Sequence, residues 1–75
     1  NPAGSEVMLE ITKPGAGEIQ FQLFSQAGKK VMDESFGYAD FLHTPISIGH
    51  LSAGIYTYQI IHPSEIFRGK LIKKE

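Results

Sequence analysis

The sequence predicts an all-β fold, a small antiparallel β-sandwich of six or seven strands arranged as two sheets. Apolar and polar residues alternate with the two-residue period of a strand in successive runs, and turn-forming residues recur at intervals of about 8–12 residues. No segment shows the three-to-four-residue apolar spacing of an amphipathic helix. These observations together favour two packed sheets over any helical architecture.

The first three strands follow directly from the alternation. "EVMLEIT" at residues 6–12 and "EIQFQLF" at residues 18–24 are joined by a predicted turn at residues 13–17. "KVMDESF" at residues 30–36 returns antiparallel to the second strand, across a turn in which Gly28 tolerates positive φ. Positions in phase with the strand period predict one core, formed by Val7, Leu9, Ile11, Ile19, Phe21, Leu23, Tyr56 and Ile60.

The middle of the chain is less regular. Residues 37–44 are predicted to be either a loop or a short edge strand, because their alternation is weak. Pro45 is predicted to open the next strand, since proline is tolerated at the first residue of a strand, and Ile46 and Ile48 then share a face.

The last two strands form the most apolar part of the chain. They are predicted over residues 54–61 and 65–73, and Pro63 predicts the turn between them because it cannot donate to a ladder. Chain termini are usually the least ordered parts of a domain, so an apolar strand tipped with lysines at this position is unusual. The sequence therefore predicts an ordered terminus.

Length and composition restrict the class of protein. The 75 residues make one small domain over residues 1–75, which buries only about 60% of the surface that its unfolded chain exposes. The absence of cysteine excludes a disulfide framework and a thiolate metal site. A formal charge of −1 argues against nucleic-acid binding. The apolar runs are far shorter than the roughly 20 residues of a membrane span, and the first residues do not resemble a signal peptide.

Residue types that carry out chemistry are present, but their spacing is unfavourable. His43, His50 and His62 contain no pair with the i, i+2 spacing that would present two ligands on one face of a strand. Asp33 and Glu34 are adjacent and therefore face opposite sides of a strand. No serine lies in a G-x-S-x-G context. We therefore predict no metal site, no cofactor and no catalytic activity.

Two features near the C-terminus allow more than one interpretation. Tyr56 and Tyr58 share a face, and they either form a platform on which a sugar stacks or pack in the core, which is the favoured interpretation. The terminal lysines either protect an edge strand from aggregation or face a partner. Leu71 and Ile72 are adjacent and so point to both faces of their strand, which indicates that the outer face is covered.

Four segments in order, "NPA", "SQAGKKV", "LSAGIYTYQI" and "GKLIKKE", resemble the type A C-terminal sorting domain of the bacterial type IX secretion system. The resemblance spans the whole chain, and it depends on the order, the spacing and the terminal position of these segments. In that family the middle motif usually has an acidic residue at the position of Ser25, whereas Gly28 and Lys29 match. The later motif often has proline at the position of Ser52, and Leu51, Gly54 and Tyr56 match.

The resemblance implies a seven-stranded immunoglobulin-like sandwich that acts as an export address and has no catalytic role. It implies a cargo domain upstream, transit through the periplasm, and recognition by the outer-membrane machinery, a shuttle protein and a sortase. The sortase would then cleave upstream of the domain and attach the cargo to the cell surface. Strand addition to an edge strand is a physically suitable mode of recognition.

On this interpretation the residues that a partner reads lie in the last two strands. Gly54 and Tyr56 would shape the turn, and Lys70 to Lys74 would be exposed to the partner. The complete predicted set is Gly54, Tyr56, Gly69, Lys70, Leu71, Ile72, Lys73 and Lys74, with Gly28 and Lys29 forming a separate turn motif. The alternative function is an accessory sandwich that binds carbohydrate or protein at the end of an exported enzyme.

Overall fold

Six strands make up the regular structure of the described part of the chain. The computed structural model describes residues 6–12, 16–39 and 41–74. Its strands are β1 (Glu6–Ile11), β2 (Ala16–Phe24), β3 (Lys30–Ala39), β4 (Leu42–Ser47), β5 (Gly54–His62) and β6 (Glu65–Lys73). No helix occurs in these ranges, which confirms the predicted all-β class, and six of the seven strands implied by the resemblance are present there.

The strands form two antiparallel sheets. β1 pairs with β4 in a two-stranded sheet, and the other four strands form a sheet in the order β3-β2-β5-β6. Both hairpins of the larger sheet join strands that are neighbours in the chain, β2 with β3 and β5 with β6. The pairing of β2 with β5 joins the two hairpins, so β3 and β6 lie at opposite edges of this sheet.

The core lies between the two sheets and confirms the predicted set of apolar positions. Ile19 and Leu23 of the larger sheet are fully buried, and they pack with Leu9 and Ile11 of the smaller one. Val7 and Ile60 contribute from half-buried positions at the margin. Three further buried residues complete the core, namely Met32, Ile46 and Ile48.

Two strand boundaries differ from the prediction. β3 runs through Ala39, and β4 already begins at Leu42, so much of the weakly patterned region is strand. Pro45 lies inside β4, opposite Met8, and does not open the strand. Within the described ranges β4 has a neighbour on only one side, so a proline can occupy it without removing a ladder hydrogen bond.

The remaining sequence expectations concern the opening motif, two turns and membrane-spanning segments. The opening "NPA" motif and most of the predicted turn at residues 13–17 lie outside the described residues. The predicted turn at Pro63 is confirmed, and it connects β5 to β6. The described ranges contain no helix of the length and apolarity that crossing a membrane requires.

Candidate recognition surface

The turn that leads into β5 is closed by the side chain of Tyr56. Leu51 N–H donates to the Ile48 carbonyl at 3.0 Å, and the Tyr56 hydroxyl donates to the Ser52 carbonyl at 2.6 Å. The Tyr56 ring is only 7% exposed and belongs to the core. A tyrosine near the start of a strand that bonds backbone four residues upstream resembles the tyrosine corner of immunoglobulin-type sandwiches. Tyr56 therefore shapes the turn from inside the protein, and its ring is not presented on the surface.

Gly54 begins β5 with a backbone conformation that side chains rarely adopt. Its φ is 157°, and its partner across the ladder is Lys73. This positive φ is far from the value of about 57° typical of a left-handed helical residue. The residue instead lets the chain enter the strand directly from the turn.

The hairpin between β2 and β3 confirms the positive φ predicted for Gly28, which has φ 88°. Gly28 N–H donates to the Ser25 carbonyl at 2.9 Å, and Ser25 N–H donates to the Lys29 carbonyl at 2.8 Å. This is the pattern of a three-residue loop with glycine in a left-handed conformation. The Ser25 hydroxyl accepts a third bond from Lys29 N–H at 3.2 Å. A serine therefore supplies an acceptor at the position where the family usually has an acidic residue.

β6 presents two faces with different character. Pairing with β5 places Lys70 and Ile72 on the outer face of the sheet, where both are exposed, and Leu71 on the inner face, where it is half-buried against the core. Lys74, just beyond the strand, is also exposed. The predicted exposure of Lys73 is wrong, because this residue lies on the inner face opposite Gly54 and is only 4% exposed.

Gly69 lies beneath an aromatic ring. It pairs with Tyr58, and a methyl group built on Gly69 would lie 2.5 Å from Tyr58 Cζ. The half-buried Tyr58 ring thus occupies the space that a side chain at residue 69 would need. Both tyrosines of the "YTY" segment face inward, which confirms the core interpretation over the sugar-stacking platform.

A ladder of polar side chains crosses the outer face of the larger sheet. Gln20 Nε2 donates to Asp33 at 2.9 Å, and Gln22 Nε2 makes a longer bond of 3.5 Å to the same carboxylate. Gln59 Nε2 donates to Gln22 Oε1 at 2.9 Å, and Arg68 Nε donates to Gln59 Oε1 at 2.8 Å. The ladder therefore reaches all four strands. The alternation of "EIQFQLF" predicts that the glutamines face outward. The polar ladder also depends on the pairing of β2 with β5, which the alternation does not specify.

The end of the ladder on β3 is an ion pair. Lys30 Nζ lies 2.8 Å from the Asp33 carboxylate. The hydrogen bond from Lys30, followed by that from Gln20, holds the pKa of Asp33 below its ordinary value. Arg68, at the opposite edge of the sheet, is bonded to an amide oxygen and not to a carboxylate.

A groove separates β1 from β6 on the open side of the sandwich. Its wider end, with a volume of about 600 Å³, is lined by Glu6, Val7, Met8, Lys70, Leu71 and Ile72. It continues past Tyr58 and Ile60 toward Phe67, through hollows that share lining residues. Of the strands that the structure describes, two face four, and the inner side of β6 borders this groove.

The histidines do not come together. His43 and His50 are exposed, whereas His62 is buried and its Nδ1 accepts a hydrogen bond from Ser64 N–H at 3.1 Å. The His43 ring packs edge-on against Phe41, with ring centroids 6.0 Å apart. Among the described residues no three histidine or acidic side chains are grouped as metal ligands would be.

The protein is a small sandwich with a long edge strand, a ladder of polar side chains on its outer face and an open groove. The family model of the secretion system C-terminal sorting domain matches residues 1–74, and the chain belongs to that family. It is thus a type IX secretion sorting domain, a signal that directs export across the outer membrane toward the cell surface or the medium and engages the type IX machinery. No curated protein and no solved structure matches the chain.

Proposed function

We propose that this domain is the C-terminal export address of a larger cargo protein, and that the information for export lies between the Gly54 turn and Lys74. The membership of the chain in the sorting-domain family carries the proposal. The hydrogen-bonded Tyr56 corner and the complete pairing of β5 with β6 support it, because they hold the end of the chain in a defined shape.

The proposed route begins in the periplasm and ends at the cell surface or in the medium. The outer-membrane machinery and a shuttle protein read the folded domain, and a sortase then cuts upstream of it and joins the cargo to the surface. In this scheme the domain is a substrate with no catalytic activity of its own. It needs no cofactor, since its contribution is shape and charge.

The candidate residues divide into two roles. Lys70, Ile72 and Lys74 are exposed and are proposed to touch the partner. The other members support that surface from within or from the turn, and they are Gly54, Tyr56, Gly69, Leu71 and Lys73. Lys73 belongs to the second group because it is buried. A variant that replaces Lys70, Lys73 and Lys74 together would therefore change stability as well as recognition.

The test is an export assay. The domain is fused behind a fluorescent reporter with a periplasmic signal, in a bacterium that possesses type IX secretion. We expect the parent to reach the surface or the medium, and the Lys70→Ser, Lys74→Ser double variant to remain in the periplasm. Substitutions at exposed positions change stability by no more than about 0.5 kcal/mol each, so this variant should stay folded.

The matched control is Lys30→Ser, which removes an exposed lysine from the opposite edge of the same sheet. It should be exported as the parent is. A second comparison deletes Leu71 to Glu75, and thermal melts of all purified domains separate unfolding from loss of recognition. If the folded Lys70, Lys74 variant and the truncation are both exported at the parental level, the terminal strands carry no address.

A further inference from the structure

The free edge of β6, meaning the side of the strand turned away from β5, has no partner among the strands that the structure describes. Over the described ranges β6 has β5 as its single ladder partner, along nine residues. Natural edge strands are usually short, bulged or covered, because a long unpaired edge is a template for another strand. The nine-residue free edge of β6 is therefore a candidate site at which another strand can dock.

The outer face beside this edge carries two cationic side chains between the exposed residues Ile66 and Ile72. Arg68 and Lys70 lie on it, and exposed Lys74 follows the strand. Of the residues that the structure describes, none on the outer face of β5 or β6 is acidic, since Glu65 faces inward and Asp33 lies on the opposite edge strand. The cationic groups beside the free edge thus complement an acidic partner.

The other side of the same edge is a groove whose lining is mostly apolar and also includes Glu6 and Glu10 of β1. The groove between β1 and β6 is bordered by Val7, Met8 and Leu71 at its wider end, and Phe67, on the inner face of β6, is 38% exposed further along. A strand added to β6 would project alternate side chains into this groove and onto the outer face, because side chains of a strand point to opposite sides in turn.

We infer that the free edge of β6 binds an extended peptide segment in which acidic and apolar residues alternate. The apolar side chains enter the groove beside Leu71, and the acidic ones meet Arg68 and Lys70. This inference rests on the proposed function and assigns a chemistry to the segment with which the export machinery reads the domain.

Two other occupants fit the site less completely. An anionic lipid surface would use Lys70 and Lys74 but would leave the main-chain edge and the groove unused. A second copy could donate its β1, in which Glu6 and Glu10 alternate with apolar residues. That strand, however, buries Leu9 and Ile11 in its own core, so its donation would disrupt the donor.

The experiment titrates the 75-residue chain with a peptide of about ten alternating glutamate and valine residues, a length suited to strand addition. A peptide with lysine in place of glutamate is the charge control. Calorimetry measures affinity, and amide hydrogen exchange locates the bound strand. We expect the glutamate peptide alone to bind and to protect β6. The Arg68→Gln, Lys70→Gln double variant should bind about tenfold more weakly, and Lys30→Gln should bind as the parent does.

The inference is overturned if the two peptides bind equally, if neither binds, or if protection appears on β3. It is also overturned if phosphatidylglycerol vesicles bind while the glutamate peptide does not, or if sedimentation shows a dimer that occupies β6. These outcomes leave the proposed function standing, because the export assay measures the address without assuming a partner chemistry. Conversely, loss of export in the Lys70, Lys74 variant does not by itself support an acidic strand.

Discussion

Tyr58 and Gly69 face each other across the last two strands, with the tyrosine ring occupying the space above the glycine. A glycine in a strand interior is normally unfavourable, and an aromatic partner on the neighbouring strand offsets this by covering the exposed backbone. The absence of a side chain at Gly69 leaves the space that the Tyr58 ring occupies against β6.

Gly69→Ala should destabilise the domain, because the added methyl group would overlap the Tyr58 ring at 2.5 Å from Cζ. We expect a loss of about 1–3 kcal/mol in urea unfolding, as in other overpacked sites. Gly37→Ala on β3 is the matched control, since a methyl group there meets nothing within 4 Å. Equal unfolding midpoints for the two variants would show that Tyr58 moves aside at no cost.

Tyr56→Phe tests the corner that precedes β5. It removes the hydroxyl that donates to the Ser52 carbonyl at 2.6 Å and leaves the packing of the ring intact. We expect a loss of about 0.5–1.5 kcal/mol, the usual net contribution of one hydrogen bond. Tyr58→Phe serves as the comparison and should change the free energy of unfolding less. A greater loss for Tyr58→Phe would mean that the corner does not stabilise the turn.

Leu23→Ala tests the centre of the core. Leu23 is fully buried on β2, which pairs with strands on both sides, so little relaxation can fill the cavity. We expect a loss of about 2–5 kcal/mol, enough to unfold so small a domain. Ile66→Ala on the exposed outer face should change stability by no more than about 0.5 kcal/mol. A thermal melt of Leu23→Ala within about one degree of the parent would contradict the assigned core.

Asp33 should make stability depend on pH in the acidic range. Its folded-state pKa is lowered, chiefly by the hydrogen bond from Lys30 and then by that from Gln20. Its contribution is therefore complete above the unfolded-state pKa of about 3.9 and disappears as the pH falls through the lower folded-state value. Comparing Asp33→Asn with the parent by urea unfolding at several pH values should show a difference that shrinks on acidification. A difference that grows toward low pH would reverse the assigned sign.

The local alternation of the chain determined the all-β class, the central hairpin and most of the core. Ile19, Phe21 and Leu23 share a face in any strand made from "EIQFQLF", so their burial follows once one face is covered. The positive φ at Gly28 is equally local, because it depends on the geometry of a short hairpin loop. The family resemblance was likewise readable from the order and spacing of short motifs.

Only the tertiary structure decided the burial of Lys73 and the pairing of strands that are distant in the chain. Lys73 was expected in solvent by its residue type, but the register with Gly54 turns it inward, since one step along a strand exchanges the two faces. The polar ladder requires β2 beside β5, a pairing of strands that are distant in the chain. Among the described strands, β6 has a free edge because it is the last strand of its sheet, and this order is not specified by any local pattern.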